Sequence, residues 1–239
     1  MDAPTAITVM GGGGMVGRNP LATGMIGMHG SQASNIGVND CDLLIAVGCR
    51  FSDRVALDPD SFASQAKIVH IDIDRSEINK NVQTDHHIVG DAKEVLRMLN
   101  ERLTQQDHTK WKEYVFSFPT ETKYDEGGDT LNPKQVCDTI ARMMPMDTIV
   151  ATDVGQHQMW AIQHFHFDYP GQLITSGGFG TMGFGLGAAI GAKVGNPDKM
   201  VIHIAGDGSF RMNCNELTTV QHYGLPVITF VFDNQTLGM

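Results

Sequence analysis

One stretch, Lys199–Met239 (KMVIHIAGDGSFRMNCNELTTVQHYGLPVITFVFDNQTLGM), limits what this chain can fold into more than any other. Met200–Ala205 is a short, apolar, β-branched run of the kind buried on both faces of a parallel sheet. Asn213, with Glu216 three residues on, reads as an N-cap pair for a helix to about His222, which Gly224 and Pro226 then end. Val227–Phe232 is a second buried strand. Strand, helix and strand predict a right-handed βαβ unit whose two strands end at the same edge of the sheet. Gly206-Asp207-Gly208-Ser209 and Asp233-Asn234-Gln235 then lie at carboxyl ends of strands, where open α/β sheets bind ligands.

The residue types at those two ends suit a hard cation held against a diphosphate. Asp207 offers a carboxylate, Asn234 a neutral amide oxygen, and the turn after Asn234 a backbone carbonyl. Mg²⁺ takes roughly six oxygens at about 2.1 Å, several of them from phosphate or water. Gly206 and Gly208 let the backbone come close, and Ser209 has a hydroxyl to donate to a phosphate oxygen. The following helix N-terminus favours an anion. Alone, a GDG is more often only a strand-to-helix turn. A second ligand-type cluster at the next strand's end favours the site.

Composition narrows the partners. Of 239 residues 41% are hydrophobic, enough for one large core or two modest ones. The net charge of −10, without a basic cluster, argues against nucleic acid. Cys41, Cys49, Cys137 and Cys214 show no CxxC or zinc spacing and read as reduced thiols of a cytoplasmic protein. The N-terminal MDAPTAIT has no basic n-region and reads as no signal peptide. Gly177–Ala192 is uncharged and carries a GxxxG ladder through Gly183, Gly187, Gly191 and Gly195. It falls short of the roughly 20 apolar residues that span a bilayer, so it predicts a loop leading into a tightly packed soluble helix and no membrane partner.

In the first half, Ala6–Met10 and Leu43–Val47 read as buried strands. Lys67–Asp74 alternates as a strand with one more polar face, and Ile88-Val89 reads as a short edge strand. Asp91 caps a helix to about Leu103, with Glu94 at its N3 position. Gly12-x-Gly14-x-x-Gly17 matches GxGxxG in letters, but Arg18-Asn19-Pro20 follows where a helix must run. Arg50, Arg54, Asp72 and Asp91 fall near strand ends, where guanidiniums meet phosphates and acids meet ribose hydroxyls, or equally where surface ion pairs form. Strands separated by short helices make a Rossmann-like α/β domain, 1–107. A charged, aromatic linker, 108–130, carries one short helix and leads to a second domain, 131–239. There Asn132-Pro133 opens a helix to about Met143, Thr148–Thr152 is a strand, and Asp153–Trp160 follows it as a loop rich in hydrogen-bonding groups or as a helix cap.

The strings GDGSFRMNCNELTTVQHYGLPV and NQTLGM resemble the acetolactate synthase large subunits among the thiamine diphosphate enzymes. GMIGMHGSQASNIGVNDCDLLIAVGCRFSDRV and HIDIDRSEINKN with IVGDA resemble the FAD-type central domain of the same family. The resemblance implies two Rossmann-like parallel-sheet α/β domains, both incomplete. The first lacks its opening strand and the second its C-terminal part, and the chain covers roughly the middle 40% of a full-length enzyme. It implies Mg²⁺ on Asp207, Asn234 and the Thr236 backbone oxygen. Thiamine diphosphate falls to Val154, Gly155, Gln156, His157, Gly180, Met182, Gly206, Gly208, Ser209 and Met239, with Met182 filling the space under the folded coenzyme. FAD, structural in this family, falls to Thr8, Val9, Met10, Met28, His29, Gly48, Arg50, Arg54, Asp72, Asp91, Gln158, Met159, Ser176 and Gly177. Asp233, Ser52, Cys49 and Gly187 depart from the family pattern.

The implied reaction is decarboxylation of pyruvate and its condensation with a second 2-keto acid, in a homodimer or tetramer; whether a small regulatory subunit joins it is left open. The activating glutamate of that family matches no residue here, so the expectation is that this polypeptide alone is inactive or nearly so. Glyoxylate carboligase and pyruvate oxidase are the near alternatives. A nicotinamide-linked oxidoreductase using Gly12–Gly17 and a non-catalytic nucleotide-binding fragment are the distant ones.

Overall fold

The computed structural model describes residues 1–124 and 130–239, which form two compact units. Residues 125–129 of the expected linker lie outside the described residues. One unit comprises Met1–Thr8 and Leu21–Glu121, and the other Val9–Pro20 and Thr122–Met239. Residues 9–20 group with the second unit, and much of the expected linker, through Glu121, groups with the first.

In the first unit, β1 (Thr5–Ile7) pairs in parallel with β2 (Ala22–Met25), and α1 (Gln32–Asp40) follows, capped by the Ser31 hydroxyl on the Ser34 amide at 3.0 Å. β3 (Leu43–Val47), β4 (Lys67–Asp72) and β5 (His86–Val89) form a parallel sheet in that order. α2 (Ala92–Asn100) is capped by Asp91 on the Glu94 amide at 3.1 Å, as the sequence predicts, and α3 (Thr109–Phe116) packs on α1. Ala46, Phe51, Ala56, Ile68 and Val82 make the core. The expected strand from Ala6 stops at Ile7, because Val9–Gly11 turns into a short 3-10 helix. β4 stops at Asp72 instead of Asp74, because the Asp72 carboxylate accepts from the Asp74 amide at 2.9 Å and turns the chain into the 3-10 helix Arg75–Glu77.

In the second unit, α4 (Pro133–Met143) opens with a capping box between Asn132 and Gln135. Then come β6 (Ile149–Thr152), α5 (Gln156–His164), β7 (Leu173–Thr175), α6 (Phe184–Gly195), β8 (Val201–Gly206), α7 (Asp207–Asn213), α8 (Leu217–His222) and β9 (Val227–Phe232). The four strands are parallel in the order β7-β6-β8-β9. Alternation along β8 sends Ile202 and Ile204 into a core with Ile140, Ala161 and Phe165, and Val201 into another with Ala189 and Ala192 of α6. Both faces are therefore covered, which is why β6 and β8 read as continuous apolar runs.

Two expectations change here. The helix after β8 begins at Asp207 rather than Asn213, because extended Gly206 takes the N-cap position and the GDGS turn becomes the first helical turn. Asn213 does not cap; its amide donates to the Gly183 carbonyl at 3.3 Å. The ladder glycines of α6 are not the packed face either. A Cβ on Gly187, Gly191 or Gly195 would meet nothing within 4 Å, and the helix buries Leu186, Ala189 and Ala192 instead. The Gly12–Gly17 segment opens no helix. Gly17 donates to the Phe167 carbonyl at 3.1 Å and Arg18 pairs with Asp168 at 2.7 Å, so the loop lacks the helix N-terminus that a dinucleotide site requires. Among the described residues no helix is long and apolar enough to cross a membrane.

Candidate functional site

Gly206 at the end of β8 is paired in register with Phe232 at the end of β9. Asp207 and Asn234 therefore leave adjacent strands at the same edge of the sheet. β6, the neighbour of β8 on its other side, delivers Gln156 as the first residue of α5. Asn234 donates through Nδ2 to Gln156 Oε1 at 2.9 Å, while its Oδ1 accepts from the Thr236 amide at 3.2 Å. Gln235 sits at φ 53, a left-handed turn that reverses the chain after Asn234. Asp207, Asn234 and the turn after it thus stand at a common edge of the sheet. Among the described residues no three of His, Cys, Asp or Glu group as a metal site, and this donor set, having one acid only, is of a different kind.

Next to these groups glycine backbone packs too closely on the His157 ring and on Leu237 to admit a side chain. A Cβ on Gly206 would lie 2.6 Å from His157 Nδ1, and one on Gly155 2.7 Å from His157 Cε1. Gly155 also holds φ +150, which favours glycine. His157 is 5% exposed, and burial pushes its imidazole down to about 4 against the opposing pull of Asp153, so it is neutral at physiological pH. Its Nε2 has no partner among the described residues. A Cβ on Gly208 would meet Leu237 Cδ2 at 2.8 Å and Met182 Cε at 3.9 Å, so Met182 stands beside the GDGS turn. Gly180, at φ +67, lies near Val154. Ser209 was expected to donate to a phosphate. Its hydroxyl instead donates to the Val154 carbonyl at 3.1 Å and ties α7 to the loop after β6. Met239 is exposed at the chain end.

Sequence reasoning missed what lies under this edge. Asp153, 1% exposed, accepts from the Gly185 amide at 2.6 Å and faces His203 Nε2 at 3.2 Å. A histidine in the middle of the apolar run of β8 was the one available signal.

The residues expected at a flavin divide between the units. In the first, Gly48, Arg50 and Arg54 are exposed after β3, and Met28 donates from its amide to the Arg54 carbonyl at 2.8 Å. His29 is pushed down by burial and then by the Arg54 cation. Asp72 ends β4, 3.6 Å from His70, whereas Asp91 is engaged as the cap of α2. Thr8 closes that unit's first segment. In the second unit Val9 and Met10 lie against Gly177, where a Cβ would come within 2.9 and 2.6 Å of them. Ser176 accepts from the Thr181 amide at 3.1 Å. Gln158 and Met159 are buried; the Gln158 amide donates to Thr175 Oγ1 at 2.6 Å.

Comparison with known proteins agrees with the parallel sheets of both units. Residues 1–99 match the thiamine pyrophosphate enzyme central domain, and residues 153–239 the C-terminal thiamine pyrophosphate-binding domain. The chain is 47% identical over 247 residues to the probable acetolactate synthase large subunit of Methanocaldococcus jannaschii, covering 99% of this chain and 42% of that protein. It is 44% identical over 238 residues to the acetolactate synthase isozyme 2 large subunit of Escherichia coli K12, covering 99% and 43%. It is 44% identical over 248 residues to the chloroplastic acetolactate synthase 1 of Nicotiana tabacum, covering 99% and 37%. The chain thus spans about two fifths of the length of these relatives.

Proposed function

Since this chain belongs to the thiamine pyrophosphate enzymes, we propose that it carries the coenzyme- and metal-binding core of an acetolactate synthase large subunit. One observation carries the reading. A carboxylate, Asp207, and an amide, Asn234, leave neighbouring parallel strands at one edge, and Gln156, the first residue of the helix after the next strand in the row, holds the amide.

The residues present fit the group. Asp207, Asn234 Oδ1 and the Thr236 carbonyl would hold Mg²⁺, which takes its remaining oxygens from phosphate and water. The backbone of Gly155–Gln156 and Gly206–Gly208, packed around the neutral His157 ring, takes the diphosphate. Gly180 and Met182 take the aminopyrimidine side. Thiamine diphosphate bound there supplies the electron sink for decarboxylating pyruvate and joining what remains to a second 2-keto acid. This chain's own residues bind and orient it and keep the His157 site neutral; no proton-transferring residue is assigned among them.

We assign a second cofactor, FAD, to the exposed edge of the first unit. Two guanidiniums, Arg50 and Arg54, beside Gly48 suit its diphosphate, and Asp72 suits a ribose hydroxyl. Two relatives are named large subunits, which supports a smaller partner subunit and assembly into an oligomer.

Calorimetric titration of the chain tests the reading. Thiamine diphosphate is expected to bind only with Mg²⁺ present, and NAD⁺ not at all. Nicotinamide binding indifferent to Mg²⁺ would overturn it.

A further inference from the structure

Two loops carry the two halves of the proposed site, and one buried carboxylate joins the residues that flank them, preceding the first loop in the chain and bonding to Gly185 just after the second. Val154–His157 follows β6 and forms the diphosphate side, whereas Gly180–Gly183 precedes α6 and forms the aminopyrimidine side. Asp153 is the residue immediately before the first loop. Its Oδ1 accepts from the amide of Gly185, in the first turn of α6, at 2.6 Å. Its Oδ2 lies 3.2 Å from Nε2 of His203, whose Nδ1 lies 3.4 Å from Thr229 Oγ1 on β9. His203 is 0% exposed, so carboxylate and imidazole both sit out of water.

A desolvated carboxylate is costly unless its oxygens are satisfied. Here each oxygen has a partner, and the partners lie on two different elements. Gly185 lets them approach. A Cβ there would come 2.6 Å from both the Asp153 amide nitrogen and His203 Nε2. α7 adds a second bridge between the same loops, through Ser209 to the Val154 carbonyl at 3.1 Å and Asn213 to the Gly183 carbonyl at 3.3 Å.

We propose that Asp153 is a positioning residue that fixes the separation of the two loops, so that a coenzyme gripped at both ends binds more tightly than its diphosphate alone. The inference rests on the coenzyme reading above. A ligand held at two points gains from the second contact only when the two points stand at the right distance, and a looser frame forfeits that gain while leaving the first contact intact.

The test compares two ligands on the full chain, thiamine diphosphate and inorganic pyrophosphate, each with Mg²⁺. The unaltered protein is expected to prefer the coenzyme. In Asp153→Ala the pyrophosphate affinity is expected to stay within about threefold while the preference for the coenzyme falls by about tenfold or more. In Asp153→Asn, which keeps an acceptor for Gly185 but removes the charge facing His203, the preference is expected to fall by less. If the alanine variant fails to fold, the asparagine variant decides: its preference for the coenzyme must fall by about threefold or more with pyrophosphate affinity unchanged. A parallel loss for both ligands, or no change in either variant, overturns the proposal while leaving the coenzyme reading in place. Failure of the unaltered protein to bind either ligand overturns both.

Discussion

Asn234 donates from Nδ2 to Gln156 Oε1 at 2.9 Å, and this bond decides which end of the Asn234 amide is turned away from α5. With the nitrogen engaged, the oxygen is left with the Thr236 amide and one free lone pair. A hard cation accepts that oxygen and not the nitrogen, so Gln156 presets a metal ligand it does not itself provide.

Gln156→Ala is therefore expected to act on the metal more than on the coenzyme. The Mg²⁺ concentration that half-saturates coenzyme binding should rise roughly three- to tenfold, the range of one lost hydrogen bond. Titrating Mg²⁺ at fixed thiamine diphosphate measures it, and an unchanged midpoint would show that the amide is oriented by other means.

The two faces of α6 should answer alanine with opposite signs. Gly185→Ala drives a Cβ to 2.6 Å from the Asp153 amide and His203, and unfolding in urea should show a loss of about 1–3 kcal/mol. Gly187→Ala meets open space in a helix interior and should gain about 0.5–1 kcal/mol. Equal effects at both positions would mean that α6 packs by another face.

Which parts were legible in the sequence follows from the physics. β3 and β9 have the bounds that their apolar, β-branched runs predict, and Asp91 and Asn132 cap the helices that their spacing announces. β2 and β7, of four and three residues, are too short to show a period. The helical start at Asp207 was hidden because glycine on both sides reads as a turn, and contacts after folding decide otherwise. Asp207 and Asn234 were legible as donors because they stand at strand ends. Their Gln156 partner and the Asp153–His203 pair were not, because residues fifty or more apart leave no local signal.

His157 gives the site a pH signature. Its imidazole is held at about 4 by burial, below the ordinary 6.5, so the unfolded chain binds the proton more readily. The stability this lends is complete above about pH 6.5 and is lost as pH falls toward 4, a change on the order of 3 kcal/mol. Urea unfolding across that window should show the decline, and His157→Gln should remove its share. A decline of the same size in the variant would place its origin in other groups.

The metal position tests the account most directly. Mn²⁺ takes the same hard oxygen ligands as Mg²⁺ and scatters anomalously, so crystals grown with Mn²⁺ and thiamine diphosphate report where the cation lies. The account predicts a single anomalous peak about 2.1–2.2 Å from an Asp207 carboxylate oxygen and from Asn234 Oδ1. A peak away from the β8–β9 edge, or one bound by Asp207 with Asn234 still turned from it, would contradict it.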